Sequence, residues 1–388
     1  MTEFVNGNRI TLLRAGADYF PALEAAIHAA RREIHLETYI FEGDATGRAI
    51  GAALMAAARR GVAVHVLVDG FGSQELDRAL VHEMRAAGVR LLVYRPNISP
   101  WTLRRARLRR MHRKIAVADA RVAFVGGINV VDDTEDPGAI PPRFDYAVRI
   151  EGPLLAKIHP VVTRLWNLVC ATQFLGRLPE AARFAPSTEF CGAQRAAFVV
   201  RDNIRHRRDI EQAYLTAIGQ ARSEIVIANA YFFPGRTFRR ALLEAAARGV
   251  RVVLLLQGRV EYVLQHYASR ALYGAFLDAG IEIHEYHKSY LHAKVAVVDR
   301  HWATVGSSNI DPFSLLLARE SNVVIEDDGF AGELRTSLLA AMTEGAVQVR
   351  RERWKNQPWT TRVMTWTSYG LARFLTGVFA YGRAEEFQ

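Results

Sequence analysis

Two stretches of this chain place a histidine, a lysine and an aspartate at one spacing: His112, Lys114 and Asp119, then His292, Lys294 and Asp299. Each continues through an apolar run into a glycine turn and an asparagine, as Val125-Gly126-Gly127-Ile128-Asn129 and Val305-Gly306-Ser307-Ser308-Asn309. Three fixed residue types match by chance at roughly one position in 10⁴ at average usage, so a second copy with the same extension is no accident. Lysine supplies a point charge, asparagine an amide donor, and imidazole attacks or moves a proton; together they suit a tetrahedral anion. Doubling the set makes a pseudo-symmetric clamp around one phosphate. One histidine attacks in line and the opposite one protonates the departing oxygen, which is two-step phosphodiester chemistry through a phosphohistidine. Histidine is also the commonest metal ligand, but a lysine two residues on would repel a cation in both copies. No metal and no cofactor are therefore expected.

The elements that must position these groups are also duplicated. Each block reads as strand, tight turn, strand, with His112 and Lys114 on one face because strand side chains alternate. Asp119 and Asp299 close their strands, where they either reach substrate or cap a turn and pair locally. His65, His159 and His206 have no repeated context and are expected to be structural. Upstream, a buried strand over 34–41, a helix over 47–60 and a strand over 61–69 recur as 225–232, 237–248 and 249–256. A helix and strand then follow in each half, over 75–87 with 89–94 and over 263–279 with 281–286. This alternation predicts the α/β class, as two pseudo-symmetric α/β halves, each a mostly parallel sheet flanked by helices. The divisions are 1–171, a linker over 172–196 marked by Leu178-Pro179 and Ala185-Pro186-Ser187, a second half over 197–345, and an unrepeated segment over 346–388.

The chain has 388 residues, 50% of them hydrophobic, enough for two halves with cores of their own. Its two cysteines, Cys170 and Cys191, show neither metal-ligand spacing nor a disulfide framework, so a reduced compartment is expected. The formal net charge of +10 favours an anionic partner, either nucleic acid or an anionic lipid surface. No window approaches the roughly eighteen apolar residues of a spanning helix, and the N-terminus lacks a signal-peptide pattern.

The paired blocks resemble the HKD motifs of the phospholipase D superfamily, and the resemblance spans nearly the whole chain. It implies two α/β halves whose motifs meet in one cleft at their interface, without metal, and a covalent phosphohistidine. On that resemblance one histidine is nucleophile and the other general acid, then base; His112 is assigned as nucleophile. Lys114, Lys294, Asn129, Asn309 and the hydroxyl of Ser307 would hold phosphate oxygens. Asp145 in Asp-Tyr-Ala-Val-Arg-Ile-Glu and Glu320 in Glu-Ser-Asn-Val-Val-Ile-Glu would orient the imidazoles. Gly127 stands where the second copy has Ser307, so one hydroxyl is missing from the first side. Within the superfamily the finer resemblance is to bacterial cardiolipin synthases of the B type, carried by Leu36-Glu-Thr-Tyr-Ile-Phe, Ile227-Ala-Asn-Ala-Tyr-Phe-Phe-Pro-Gly235 and His301-Trp-Ala-Thr-Val-Gly-Ser-Ser-Asn-Ile-Asp-Pro312. It implies transfer of a phosphatidyl group from one phosphatidylglycerol to another, with release of glycerol, by an enzyme peripheral to the bacterial cell membrane on its cytoplasmic side. The rival on the same scaffold is a phospholipase D-type phosphodiesterase or nuclease, against which stand the aromatic tail and the extent of the resemblance.

Two unrepeated segments bear on where the chemistry happens. The densest basic cluster, Trp101 to Lys114, leads into the first motif; its Arg104, Arg105, Arg107, Arg109, Arg110 and Arg113 either hold anionic headgroups at the cleft mouth, at ~1 kcal/mol each near an anionic bilayer, or form a solvated loop. The final segment combines Arg350, Arg351, Arg353 and Lys355 with Trp354, Trp359, Trp366, Tyr369, Phe374, Leu375, Phe379 and Tyr381. It either lies on a membrane surface or packs an apolar stripe back onto the body.

Overall fold

The computed structural model describes residues 2–96, 109–132, 142–173, 184–202, 206–311 and 318–381. The first half runs β1 (Val5–Arg14), α1 (Ala15–Ala29), β2 (Glu33–Thr38), α2 (Ala45–Arg59), β3 (Ala63–Asp69), α3 (Arg78–Ala86), β4 (Arg90–Tyr94), β5 (Arg110–Met111), β6 (Lys114–Ala118), β7 (Val122–Gly126), β8 (Tyr146–Glu151) and α4 (Leu155–Thr172). The second runs β9 (Gln194–Arg201), α5 (Asp209–Gln220), β10 (Glu224–Asn229), α6 (Arg236–Ala247), β11 (Arg251–Gln257), α7 (Val263–Arg270), α8 (Tyr273–Asp278), β12 (Glu282–Tyr286), β13 (Lys294–Val298), β14 (Trp302–Gly306), β15 (Ala318–Glu326) and α9 (Asp328–Gly345). A short β16 (Ala346–Gln348), α10 (Arg351–Lys355) and α11 (Trp359–Tyr381) follow.

All these strands belong to one sheet, in the order β16-β12-β11-β10-β13-β14-β15-β9-β1-β8-β7-β6-β2-β3-β4, with β5 pairing onto β15. The order is pseudo-symmetric about the antiparallel β1–β9 contact, which joins the halves edge to edge. The two-half α/β expectation holds, but each half's sheet is mixed rather than mostly parallel. Within each half only β2–β3–β4 and β10–β11–β12 are parallel, and across the junction β5 pairs in parallel with β15. From β2 through β6, β7 and β8 to β1, and through the matching strands of the second half, the pairing is antiparallel. The tight turn read from each motif dictates this, because a connection of three residues can join only antiparallel strands. Asp119 and Ala120 have φ of 52° and 51°, and Asp299 and Arg300 have 51° and 56°, the left-handed pair that a type I′ hairpin requires.

The motif strands lie in the middle of the sheet and are covered on both faces. Along β6, Ile115 and Val117 enter the core beneath α4 and α9, whereas Ala116 and Ala118 face α1 and α2. Along β13, Val295 and Val297 join that same shared core, and Ala296 and Val298 pack toward the outer helices of the second half. One core thus takes residues from both halves, which fixes the two motif strands relative to each other. Strand β2 alternates likewise: Ile34 and Leu36 enter the outer core, while its buried polar residues find partners. Glu33 is held by His159 of α4 at 2.7 Å, and Glu37 by Arg113 at 2.5 and 2.9 Å.

Candidate active site

Each motif histidine is held by the half to which it does not belong. Strand β5 pairs in parallel with β15, carrying the first half across the junction immediately before His112. There the His112 N–H donates to the Arg319 carbonyl at 3.0 Å, and its Nδ1 lies 3.0 and 3.1 Å from the two Glu320 oxygens. The second half does the reverse. The His292 N–H donates to the Phe144 carbonyl at 2.9 Å, and Nδ1 lies 2.6 Å from Asp145. The histidines therefore precede β6 and β13 instead of lying on them, because their main-chain donors are engaged across the junction. Nδ1 donating to a carboxylate leaves the Nε2 lone pair of each ring for chemistry. Their side chains keep 17% and 13% exposure, enough to be reached from one edge of an otherwise buried site.

Lys114 and Lys294 open the motif strands and are buried. Lys114 Nζ donates to the His112 carbonyl at 2.7 Å; Lys294 Nζ donates to the His292 carbonyl and lies 3.7 Å from Asp145. Burial, then repulsion from Lys294, pulls Lys114 down to about 7. Burial pulls Lys294 down to about 8, against the opposing pull of Asp145. The imidazoles feel the same forces: burial and then Lys294 lower His292 to about 3 despite Asp145, and burial lowers His112 despite Glu320. Burial alone would raise Asp145 and Glu320, but Lys294 and His292 hold the first below its ordinary value, and His112 and Lys114 the second. The result is two ionised carboxylates behind two neutral imidazoles, and two crowded ammonium groups that an anion would relieve.

The asymmetry between Gly127 and Ser307 follows from carboxylate length. Ser307 is fully buried; its Oγ donates to Glu320 at 2.5 Å and accepts from the Ser321 N–H at 3.1 Å. It supports the carboxylate rather than a phosphate oxygen, which corrects the expectation for this residue. On the other side the shorter Asp145 sits against Gly127, where a Cβ would collide with its carboxylate. A backbone donor replaces the missing hydroxyl, since the Tyr146 N–H reaches Asp145 at 2.8 Å. Asn129 and Asn309 follow the ends of β7 and β14 and are buried. The Asn129 side-chain oxygen accepts from the Ile40 N–H at 3.2 Å, which aims its amide NH₂ elsewhere, and the Asn309 side-chain oxygen has no protein partner.

Asp119 and Asp299 are not in the cleft. They close β6 and β13 at the ends remote from the lysines, about 16 Å along each strand. Asp119 accepts from the N–H groups of Arg31, Arg32 and Glu33, and Asp299 from those of Arg222, Ser223 and Glu224. Each staples the motif hairpin to the start of its antiparallel neighbour, β2 or β10, so the catalytic expectation for this pair is corrected to the local-pairing alternative. Of the basic cluster, Arg104, Arg105 and Arg107 lie outside the described residues. Arg113 points inward to Glu37 and cannot serve a headgroup. Arg110 lies over the Phe71 ring at 5.0 Å and, through its backbone oxygen, Arg109 accepts from the Arg110 guanidinium.

Tyr39 was not singled out by its sequence context. Its ring lies 4.8 Å from that of His112 and 5.3 Å from Lys114 Nζ, so it walls the first motif. Asp69 was also missed; it accepts the Met111 N–H at 2.8 Å and so steers β5 toward the junction. Nothing local marks either residue, because each acts on a segment far away in sequence. Among the described residues, one group gathers metal-type ligand atoms, the buried Glu33, His35 and His159. Glu33 belongs to the stapled end of β2, beside Asp119, and its contact with His159 is a hydrogen bond between strand and helix. His65 stacks on His35 in the same region at 4.7 Å, and His206 pairs locally with Asp209.

The family description "Cardiolipin synthase, PLD-like domain" matches residues 23–155 and 214–341, once in each half. The chain is 42% identical over 353 residues to cardiolipin synthase B of Escherichia coli (strain K12), covering 91% of this chain and 85% of that protein. It is 32% identical over 364 residues to cardiolipin synthase A of Yersinia pseudotuberculosis serotype O:1b (strain IP 31758), covering 92% and 74%. Among solved structures it is similar to phosphatidylserine synthase from Haemophilus influenzae Rd KW20, with a TM-score of 0.71, 12% identity and 95% of each chain covered. A polyphosphate kinase from Porphyromonas gingivalis gives a TM-score of 0.57 at 14% identity, over 96% of this chain and 53% of that one. At such identities these two structures speak to the fold alone.

Proposed function

The chain belongs to the cardiolipin synthase family with PLD-like domains, and we propose that it transfers a phosphatidyl group from one phosphatidylglycerol to another through a phosphohistidine. The reciprocal hold on His112 and His292 carries this reading, since it leaves two oriented Nε2 atoms beside two buried lysines. Lys114 and Lys294, with the amides of Asn129 and Asn309, bind the donor phosphodiester. His112 Nε2 forms a bond to phosphorus while the bond to the glycerol oxygen breaks, and His292 delivers the proton that glycerol carries away. A primary hydroxyl of the second phosphatidylglycerol then gives its proton back to His292 and attacks phosphorus. Cardiolipin leaves and His112 is restored.

Burial makes both imidazoles favour the neutral form, which suits a nucleophile but not an acid. The charge of the bound phosphodiester raises both, so His292 takes up its proton together with substrate. Water competes with the acceptor hydroxyl, and the burial of the lysines and carboxylates limits it.

The substrate is a membrane lipid, and no helix among the described residues is long and apolar enough to cross a membrane. Peripheral association with an anionic surface on the cytoplasmic side fits both that and the net charge of +10. Purified protein incubated with phosphatidylglycerol should release cardiolipin and glycerol in equal amounts. Cleavage of a DNA substrate without cardiolipin would sink this reading in favour of a nuclease.

A further inference from the structure

Helix α11 is built inside out. Its side chains are described as far as Phe374. Toward the body it turns Thr365, Ser368 and Ala372, all buried, and it packs along α7, with Tyr369 against Phe233 at 5.6 Å. A helix on a water-facing surface places its apolar residues on that inner side and polar ones outward. Here the outward side carries Trp359, 74% exposed, Trp366, 61%, and Phe374, 67%, with Val363 exposed among them. At about 100° per residue these four make one stripe, opposite Thr365, Ser368 and Ala372. Arg362 and Arg373, both exposed, run along one border of the stripe, and the helix contains no Asp or Glu.

We propose that this outward face of α11 lies in the headgroup layer of an anionic bilayer and docks the enzyme there. The inference rests on the phospholipid reading of the cleft and adds the surface that meets the lipid. Tryptophans that keep an apolar body and a polar N–H at an interface, bordered by arginines and free of acids, have the chemistry of a helix lying in the membrane plane. A stripe of two tryptophans, a valine and a phenylalanine on a helix that carries arginine and no acid suits an anionic surface, which meets apolar rings and positive charge together along its whole length. The helix is also near the chemistry. It packs on α7, about 12 Å long, which begins at Tyr262 and Val263, both exposed. The preceding Glu261 lies 3.3 Å from Arg143, two residues before the Asp145 that holds His292. Helix α11 therefore sits on the His292 side of the molecule.

The test is co-sedimentation of the full chain with vesicles of mixed phosphatidylglycerol and phosphatidylcholine, and of phosphatidylcholine alone. The expected result is binding to the anionic vesicles that falls at least tenfold in the Trp366→Glu/Phe374→Glu double variant and in Arg362→Glu/Arg373→Glu. Because these side chains are exposed, the unfolding midpoint should stay in place. Quenching of tryptophan fluorescence by lipids brominated near the headgroup gives the same answer in the unmodified protein and should disappear in Trp359→Phe/Trp366→Phe. Unchanged vesicle binding in both charge variants, or a dimer in light scattering that the double variant splits while still binding vesicles, overturns the proposal; the second result makes another copy of this chain the occupant. Vesicle binding needs no turnover, so it stands or falls separately from cardiolipin formation.

Discussion

Asp145 and His292 come from opposite halves of the chain, and their side chains meet at 2.6 Å. Glu320 and His112 repeat the relationship in the other direction at 3.0 Å. Neither half by itself completes the setting of its motif histidine: each lends its carboxylate to the other's imidazole and its own ring to the other's carboxylate. Asp145→Asn should therefore lower transfer by roughly 10²–10⁴-fold, the range for loss of a working acid–base group, with little change in KM. An equal effect on kcat and KM would mean that Asp145 touches substrate instead of positioning His292.

Identity of the nucleophile is open to direct reading. His112→Ala and His292→Ala should each abolish cardiolipin formation. Wild-type enzyme denatured at mildly alkaline pH, because the N–P bond is acid-labile, then digested and mapped by mass spectrometry, should carry a phosphatidyl adduct on the peptide containing His112. An adduct on the His292 peptide reverses the assignment while keeping the two-histidine scheme.

The depressed lysines predict a pH-dependent affinity for anions. Lys114 near 7 and Lys294 near 8 lose their protons as pH rises, so inorganic phosphate should bind the empty cleft more weakly from about pH 7 upward. Binding at pH 8 should take up protons, because the anion restores both ammonium groups. Calorimetry in two buffers of different ionisation enthalpy measures that uptake, and no buffer dependence would show the lysines already charged.

Ser307→Ala should act through Glu320. Loss of the hydroxyl removes one donor from a buried carboxylate, at about 1–3 kcal/mol of stability, and should lower kcat more than it raises KM. Gly127→Ala should be worse, since its methyl group enters the space of the Asp145 carboxylate. A Ser307→Ala enzyme with normal kcat and a raised KM would return the hydroxyl to the phosphate.

Asp299→Asn should cost stability and spare chemistry. Burial opposes ionisation of Asp299, but the N–H groups of Glu224, Ser223 and Arg222 outweigh it and hold the group below its ordinary 3.8. Its stabilising contribution is thus complete above the unfolded value and is lost as pH falls through the lower folded one. Urea unfolding near pH 7 should show a loss of about 1 kcal/mol or more that vanishes in strong acid. A large fall in kcat of the still-folded variant would restore Asp299 to the catalytic set.

Much of this protein was legible in its residues because the signal was local and repeated. The spacing of His112, Lys114 and Asn129, copied at His292, Lys294 and Asn309, fixed the chemistry as that of a phosphate, and the alternation of strands and helices fixed two related halves. The expectation of mostly parallel sheets gave too little weight to the tight turn after each motif strand, which requires antiparallel pairing there. Three-dimensional packing decided what depends on contacts between distant segments. The family resemblance implied Asp145 and Glu320 behind the histidines but did not say that each serves the opposite half, because that requires β1 and β9 to join the sheets edge to edge. Sequence spacing also could not separate Asp119 and Asp299 from the cleft, since a carboxylate at the end of a strand looks the same whether it meets substrate or three backbone N–H groups. The helix at the end of the chain showed the same limit. Its composition offered an anchor or a packed stripe, and only the burial of Thr365, Ser368 and Ala372 revealed which side faces out. A periodic pattern gives the faces of a helix, whereas the neighbour it packs against decides their direction.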